Sequence, residues 1–367
     1  MEDESLLAMF NEQKRSYYNI GINPAELFND ESAQQKCREF IEAHFTKGHK
    51  GCVLIIPEKF RARYDSEGKH VHSVSLYLLG LSLKKYFDKA LKTKLDDLID
   101  DNDWYDYIYS WYLSCIYHDV ASCVEREELD SFSVEEIENS KFFLSDQSLR
   151  RFSKSTMISY LEYRQKQKLS DHGIIAGIRL YEELVKSFEQ NTEKVEWTNQ
   201  QEYFQNGLCW RKGHIPHFAY VADAVCCHNI WMAYPPDLSK MAEYRSSGLS
   251  ELVIDTKEKR LDMKAHPLQF ILCLLDTIEP VKRFDNLSPQ ATLENIFIRQ
   301  EQTSIYISWT DFIKSQRPFY KWLSNINELS DWVNVEVSDC TRINNRCGIR
   351  IMLTDLVNNP ELLPAVV

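Results

Sequence analysis

The chain has 367 residues, a net charge of −12 and a pI near 5.4. This acidic balance argues against broad nucleic-acid binding, which needs a basic face. Hydrophobic residues make up 44% of the chain, enough for a core, and no run approaches the roughly 18 apolar residues of a membrane helix. The acidic N-terminus and ten scattered cysteines without a CxxC pair argue against a secretory signal and a disulfide framework, so we expect a cytoplasmic protein.

Most of the chain before residue 285 has the periodicity of helices. The first predicted helix covers residues 33–47, and the next begins at His70 in "HVHSVSLYLLGLSLKKYF". Others are predicted over 104–118, in "LSDHGIIAGIRLYEELVKSF" after an N-cap at Ser170 or Asp171, in "HFAYVADAVCCHNIWMA", and in "MKAHPLQFILCLLDTIEP". The charged stretch over about 124–168 is interpreted as a helical insertion with a solvated outer face.

The pattern changes after residue 285. "ENIFIRQEQTSIYISW" predicts two strands joined by a polar turn, "PFYKWLSNINELSDW" a helix, and "VNVEV" and "CGIRIML" two more strands. The sequence therefore predicts a mainly α chain, with a helical domain over 1–285 and a small α+β unit over 286–367.

Six polar residues fall on or beside the apolar faces of successive predicted helices. They are His72, His118, Asp119, His172, His228 and Asp276. Each alone is compatible with a hydrogen-bonded core residue, and a structural metal or a plain polar cluster remains an alternative for the set. A divalent cation would satisfy several buried imidazoles and carboxylates together. Nitrogen and oxygen ligands without a thiolate suit Mn, Fe, Co, Ni or Zn.

In this order the residues resemble the HD superfamily of metal-dependent phosphohydrolases. The resemblance rests on His72 in "HVHSVSLYLLG", the His118-Asp119 doublet in "YHDV", and Asp276 in "CLLDTIEP". His172 in "DHGIIAG" and His228 in "CCHNIW" resemble the two extra histidines of two-metal members. The family's pattern implies a helical core and two ions. It implies Asp119 as the bridging ligand, with Asp119 and His172 as catalytic residues.

The expected function is that of a metal-dependent phosphohydrolase or phosphodiesterase. It would cleave a phosphate ester or anhydride of a nucleotide-type substrate by metal-activated hydroxide. Lys282 and Arg283 after the last aspartate, and Arg61, Arg63 and Lys69 before the first histidine, are candidates for binding the substrate's phosphate, although each is also compatible with a surface cation. No membrane partner is expected, and a homo-oligomer is left open. The alternative is a non-catalytic HD-like nucleotide-binding or regulatory module.

Overall fold

The structure is a computed structural model in which a mainly α chain carries a C-terminal α+β portion, as predicted from the sequence. Within the parts of the chain that it describes, no helix is both long enough and apolar enough to cross a membrane. The described residues are 4–13, 23–29, 32–46, 68–98, 107–122, 134–167, 169, 171–192, 214–233, 238–343 and 346–363.

Helices form most of the chain up to residue 278. The helices are α1 (Leu6–Glu12), α2 (Ala33–Thr46), α3 (Lys69–Ser82), α4 (Asp88–Leu98), α5 (Tyr107–Tyr117), α6 (Val134–Glu138), α7 (Lys154–Lys166), α8 (His172–Thr192), α9 (His214–Cys227), α10 (Leu238–Ser246) and α11 (Pro267–Ile278). Among its described residues, the stretch predicted as a helical insertion contains α6, α7 and two short 3-10 helices, Lys141–Leu144 and Gln147–Leu149.

Helices α3 and α5 pack closely because small and aromatic residues face each other. A Cβ added at Gly80 would lie 2.0 Å from the Trp111 indole nitrogen, so this position has room only for glycine. That indole nitrogen donates a hydrogen bond to the carbonyl of Tyr77 at 3.1 Å. The contact fixes α5 relative to α3, and with it the positions of His72 in α3 and of His118 and Asp119 directly after α5.

Helices α8 and α9 also approach closely. A Cβ at Gly177 would meet the Cys226 sulfur at 2.4 Å and the Ala222 carbonyl at 2.5 Å. Helix α8 begins as predicted, since the Asp171 carboxylate accepts the backbone N–H of Ile174 at 2.9 Å. Close packing of these two helices brings the start of α8 beside the end of α9.

The C-terminal portion combines an antiparallel sheet with four short or medium helices. They are α12 (Pro289–Glu294), α13 (Asp311–Lys314), α14 (Phe319–Trp332) and α15 (Thr354–Asn358). The strands of the whole chain are β1 (Glu4–Ser5), β2 (Met232–Ala233), β3 (Val253–Ile254), β4 (Ile296–Gln300), β5 (Ser304–Trp309), β6 (Val335–Ile343) and β7 (Arg346–Leu353). The five-stranded sheet has the order β1-β4-β5-β7-β6, and β2 pairs with β3 in parallel.

Several contacts join the C-terminal portion to the rest of the chain. Strand β1, which was not predicted from the sequence, pairs antiparallel with β4, with Glu4 opposite Ile298. The backbone of Leu261 makes two hydrogen bonds to the end of α14. Its N–H donates to the Trp332 carbonyl, and its carbonyl accepts from the Asn334 N–H, both at 2.9 Å. The end of α14 is therefore fixed against the segment that precedes α11.

The helix predicted in "HFAYVADAVCCHNIWMA" ends earlier in the structure than the sequence indicated. Helix α9 ends at Cys227, so His228 lies in the turn beyond it, and the final Met232–Ala233 of the expected helix forms β2. The His228 ring instead directs Nδ1 at the Val225 carbonyl, 2.7 Å away. This contact is made by the last turn of the helix, whose carbonyls lack helical partners.

Candidate metal centre

All six residues singled out from the sequence come together in one cluster. Within each of two groups, one possible ligand atom per residue lies within 4.8 Å of the others. The first group is His72, His118 and Asp276, and the second is Asp119, His172 and His228. Ring contacts link the groups, because the His118 and His228 centroids lie 5.5 Å apart.

The ends of helices supply most of these side chains. His72 lies in the first turn of α3, His118 and Asp119 directly follow α5, and His172 opens α8. Asp276 lies in the last turn of α11, and His228 directly follows α9. All six residues therefore lie in the first or last turn of a helix or just beyond its end, and these helix ends meet at a polar centre.

The first group presents three electron-rich atoms to one another. The Cys115 carbonyl can only accept, so the Nδ1 atom of His118, 2.8 Å away, carries a proton. The Nδ1 atom of His72 lies 2.8 Å from the Glu279 carboxylate and is also a donor. In the neutral rings both Nε2 atoms therefore carry lone pairs, and they lie 3.1 Å apart.

A carboxylate oxygen completes this group. The Oδ1 atom of Asp276 is 3.0 Å from the Nε2 atom of His72 and 3.6 Å from that of His118. It is nevertheless a buried atom without a hydrogen bond of acceptable geometry to any described residue. Two imidazole lone pairs and a carboxylate at these distances repel one another unless a proton or a metal cation lies among them.

The second group has the same donor chemistry. The Oδ1 atom of Asp119 lies 3.4 Å from the Nε2 atom of His172. The His172 and His228 ring centroids lie 5.2 Å apart, and Nδ1 of His228 is engaged by the Val225 carbonyl. Gly173 keeps this space open, because a Cβ there would lie 3.1 Å from the His228 ring.

Two lysines bind Asp119 through its other oxygen. The ammonium groups of Lys69 and Lys282 each lie 2.9 Å from the Oδ2 atom of Asp119, and Lys282 is also 3.5 Å from Asp276. Both lysines were candidates for phosphate binding, and the structure brings both into contact with the cluster. Two ammonium groups therefore offset the negative charge of one buried carboxylate oxygen, Oδ2 of Asp119.

Burial and neighbouring charges set the protonation of the cluster. Burial lowers the pKa of His118 and lowers that of His228 to about 3, so both are neutral near pH 7. Burial opposes ionisation of Asp119 and Asp276, but the Lys282 ammonium and neighbouring histidines outweigh it and hold both pKa values well below the usual range. For His72, the Asp276 and Glu279 carboxylates outweigh burial and Lys282 and raise its pKa.

Glu279 is a site residue that the sequence analysis did not identify. Its side chain is fully buried and faces the Nδ1 atom of His72, and it accepts from the Ser75 hydroxyl at 2.5 Å. The backbone N–H groups of Val281 and Lys282 donate to the same carboxylate at 2.9 and 3.1 Å. The sequence could have indicated this role, because Glu279 follows Asp276 by three positions at the end of the same helix and so lies on the same face.

A cavity of about 280 Å³ opens beside the cluster. Two of the cluster's residues line it, together with side chains from α11, the α9–β2 turn and α14. The lining residues are His228, Asn229, Trp231, Cys273, Asp276, Thr277 and Trp332. Two indoles, an amide and a hydroxyl beside the candidate ligands give this cavity the mixed apolar and polar lining of a small-molecule site.

The remaining candidates for phosphate binding have different outcomes. Arg61 and Arg63 lie outside the described residues. Arg283 is partly buried beside Lys282, and its Nε atom has no hydrogen-bond partner among the described residues. The structure brings Arg283 near the cluster without a direct contact to the six residues.

The cluster fits divalent transition metals on the chemistry of its donors. Neutral imidazole Nε2 atoms and ionised carboxylates are their ligands, and the unsatisfied Oδ1 atom of Asp276 supplies a vacant acceptor. The outward Nδ1 atoms of three of the histidines face oxygen acceptors, as those of ligating histidines do. No family model, no curated protein and no solved structure matches this chain.

Proposed function

We propose that the protein is a metal-dependent phosphohydrolase of the HD type that acts on a nucleotide-type phosphate ester or anhydride. The observation that carries this proposal is the pairing of two N/O donor groups, His72–His118–Asp276 and Asp119–His172–His228, around neighbouring points. Two bound divalent ions, of Mn, Fe, Co, Ni or Zn, would lower the pKa of a water and offset charge on a phosphate. Asp119, next to both groups, is the proposed bridging ligand.

The lysines on Asp119 are the proposed phosphate ligands. Lys282 has 24% of its side chain exposed and Lys69 has 12%, so both side chains are partly accessible from outside the cluster. Ammonium groups are point charges on flexible stems, able to follow a phosphate oxygen. In this proposal they bind the anionic end of the substrate and stabilise charge that develops on it. Arg283, beside Lys282, adds positive charge at the same edge.

The cavity beside the cluster supports a substrate with a flat organic moiety. Trp231 and Trp332 line it, and aromatic side chains bind planar bases by stacking. Asn229 also lines the cavity, and its amide lies 3.1 Å from the His172 ring, where it can contact a substrate that reaches the second group. The described cysteines are free thiols, which fits the proposed cytoplasmic location.

The test combines metal analysis with a substrate screen. The full chain, purified without chelator, is analysed for transition metals and then supplied with Mn, Co, Ni or Zn and assayed on nucleotides, dinucleoside polyphosphates, cyclic dinucleotides and short oligonucleotides. We expect bound metal and hydrolysis that His118→Ala and Asp119→Ala abolish. The matched control is His70→Gln on α3, whose ring contacts Gln34 instead of the cluster.

Two results would separate this proposal from its alternative. Nucleotide binding without turnover in every metal would favour a non-catalytic HD-like module. Hydrolysis that persists in folded His118→Ala and Asp119→Ala proteins would show that the activity arises elsewhere.

A further inference from the structure

A second, smaller cavity lies at the opposite end of α11 from Asp276. It measures about 20 Å³, the space of about one water molecule, and it shares no lining residue with the larger cavity. Its walls come from α4, the 148–151 segment, α9 and the first turn of α11. The lining residues that matter here are Lys94, Arg150, Arg151, Asp223, His266 and Gln269.

This cavity holds more positive than negative charge. Lys94, Arg150 and Arg151 face a single lining carboxylate, that of Asp223. Asp223 already accepts the Arg151 backbone N–H at 3.0 Å and the Gln269 amide at 2.8 Å through one oxygen. Burial raises the pKa of Asp223 to about 7, so part of its negative charge is lost near neutral pH. Asp146 and Asp262 act on Arg150 and Arg151 from outside the lining, so the excess of positive charge is confined to the cavity wall itself.

Buried donors in the same place lack partners. Arg150 is 8% exposed, and its Nε and Nη1 atoms make no hydrogen bond with any described residue. Its Nη2 atom binds Gln147, and the guanidinium lies 5.6 Å from the Phe142 ring centroid. The Nε atom of Arg151 is buried and unpaired as well. Unpaired guanidinium N–H groups are costly to bury, and an anion would satisfy them.

The first turn of α11 adds a further attraction for an anion. The helix has 12 residues and starts at Pro267, and its N-cap residue His266 gives no side-chain cap. The first turn of the helix, with the positive end of its dipole, borders the cavity at His266 and Gln269, next to the buried Tyr220 side chain. Burial, followed by Arg151 and Lys94, lowers the pKa of His266 to about 3, so this ring is neutral.

Gln269 restricts the kind of anion. Its Nε2 atom is committed to Asp223, and its buried Oε1 atom has no hydrogen-bond partner among the described residues. That oxygen needs a donor. Hydrogen phosphate and protonated phosphate monoesters carry a P–O–H group that can donate, whereas sulfate near neutral pH has none.

We propose that this cavity binds a phosphate group, held by Lys94, Arg150 and Arg151 at the start of α11 and recognised by Gln269. The cavity as it stands has the volume of about one water, so a phosphoryl group enters when the partly buried Lys94 side chain moves outward. Asp276 follows Gln269 by seven positions on α11, which corresponds to about 10 Å along the helix. The Arg151 guanidinium also lies 4.7 Å from the Trp231 ring centroid, and Trp231 lines the larger cavity. The phosphate is therefore either a distal group of the substrate or a separate effector.

Calorimetric titration of the full chain, as purified, with inorganic phosphate tests the site. We expect binding that Lys94→Gln weakens at least about tenfold, since a charge-assisted contact is lost. Lys92→Gln is the matched control, because Lys92 lies on the same helix, is 50% exposed and pairs with Asp96. Arg151→Gln, checked for folding by circular dichroism, should weaken phosphate as Lys94→Gln does. Sulfate should bind more weakly than phosphate.

Three results would overturn the proposal. The first is that phosphate does not bind. The second is that Lys94→Gln and folded Arg151→Gln bind phosphate with unchanged affinity, as they would if phosphate bound only at the candidate metal centre. The third is that sulfate and phosphate bind with equal affinity. Because the titration needs no turnover, it stands even if no hydrolase activity is found.

Kinetics then distinguish the two sources of phosphate. If the cavity holds a distal phosphate of the substrate, Lys94→Gln raises KM for a substrate with several phosphates and leaves that of a monophosphate unchanged. If it holds an effector, inorganic phosphate changes kcat for a monophosphate in the wild type and has no such effect in Lys94→Gln.

Discussion

The Nε2 atoms of His72 and His118 lie 3.1 Å apart, while the Nδ1 atom of each ring faces an oxygen acceptor. This arrangement directs two lone pairs at the same point, next to an unsatisfied oxygen of Asp276. In the absence of metal, a proton on His72 relieves the repulsion among these atoms, which agrees with the raised pKa of His72. Metal and proton therefore compete for the same position.

Metal removal should destabilise the fold. An ion present at a thousand times its Kd contributes about 4 kcal/mol to the free energy of unfolding. We therefore expect a chelator to lower the Tm of the full chain by several degrees, and added Mn or Zn to restore it. Thermal denaturation followed by circular dichroism measures this change. An identical Tm in chelator and in metal would argue against a metal among these residues.

His172→Ala should remove one of two ions. His172 contributes only to the group with Asp119 and His228, and its side chain is 14% exposed, so its truncation leaves the first group intact. We expect the metal content measured by mass spectrometry to fall by about half, with the fold retained. An unchanged stoichiometry would rule out the two-ion arrangement.

Glu279→Gln should weaken metal binding without abolishing activity. The carboxylate holds the Nδ1–H of His72 and raises the basicity of that ring, and comparable substitutions cost about 10- to 100-fold in metal affinity. The titration of activity against metal concentration should shift by this factor, and saturating metal should recover most of kcat. Glu258→Gln, on an exposed turn, is the control. A fall in kcat that saturating metal does not reverse would contradict this positioning role.

Trp332→Ala should raise KM for the substrate more than it lowers kcat. The indole lines the cavity beside Asp276 but is not among the six candidate ligands. Tyr320→Ala provides the comparison, because Tyr320 lies on the same helix and is 68% exposed. Equal KM values in the two variants would exclude Trp332 from substrate binding.

Acid should destabilise the protein partly through His266. Its pKa falls from 6.5 to about 3 on folding, because of burial and then Arg151 and Lys94. Below pH 6.5 the unfolded chain binds the proton more readily, so stability is full above that pH and declines as the pH falls toward 3. The slope is up to about 1.4 kcal/mol per pH unit. In urea denaturation with chelator present, His266→Gln should give a shallower decline, and an equal slope would contradict the assignment.

The sequence was sufficient to predict the helical class and all six residues of the candidate centre. Helical periodicity placed His72, His118 and His228 on apolar stripes, where polar groups are costly to bury, and the order of the six residues, which resembles that of HD phosphohydrolases, selected the set. The end of α9 could not be read in the same way, because "HNIWMA" continues the apolar pattern beyond Cys227. The helix ends there although the following residues are apolar, and Met232–Ala233 form β2, which pairs with β3.

Contacts distant in the chain were beyond sequence reasoning. Glu279 lies in a quoted motif, yet its role depends on His72, which lies 207 residues earlier. The small cavity likewise combines residues from four separate segments, namely Lys94, Arg150, Asp223 and Gln269. Strand β1 is only two residues long, and nothing in "ES" indicates pairing with β4. Such features follow from the packing of elements and leave no periodic signal.

The pairing of β1 with β4 has a practical consequence for dissecting the chain. Residues 286–367 expressed alone would present β4 as an unprotected edge, with its N–H and C=O groups free to pair with another copy. Fragments cut at the apparent domain boundary would then self-associate for reasons unrelated to the native assembly. The N-terminal residues thus act as a covering strand for a sheet encoded almost 300 residues away.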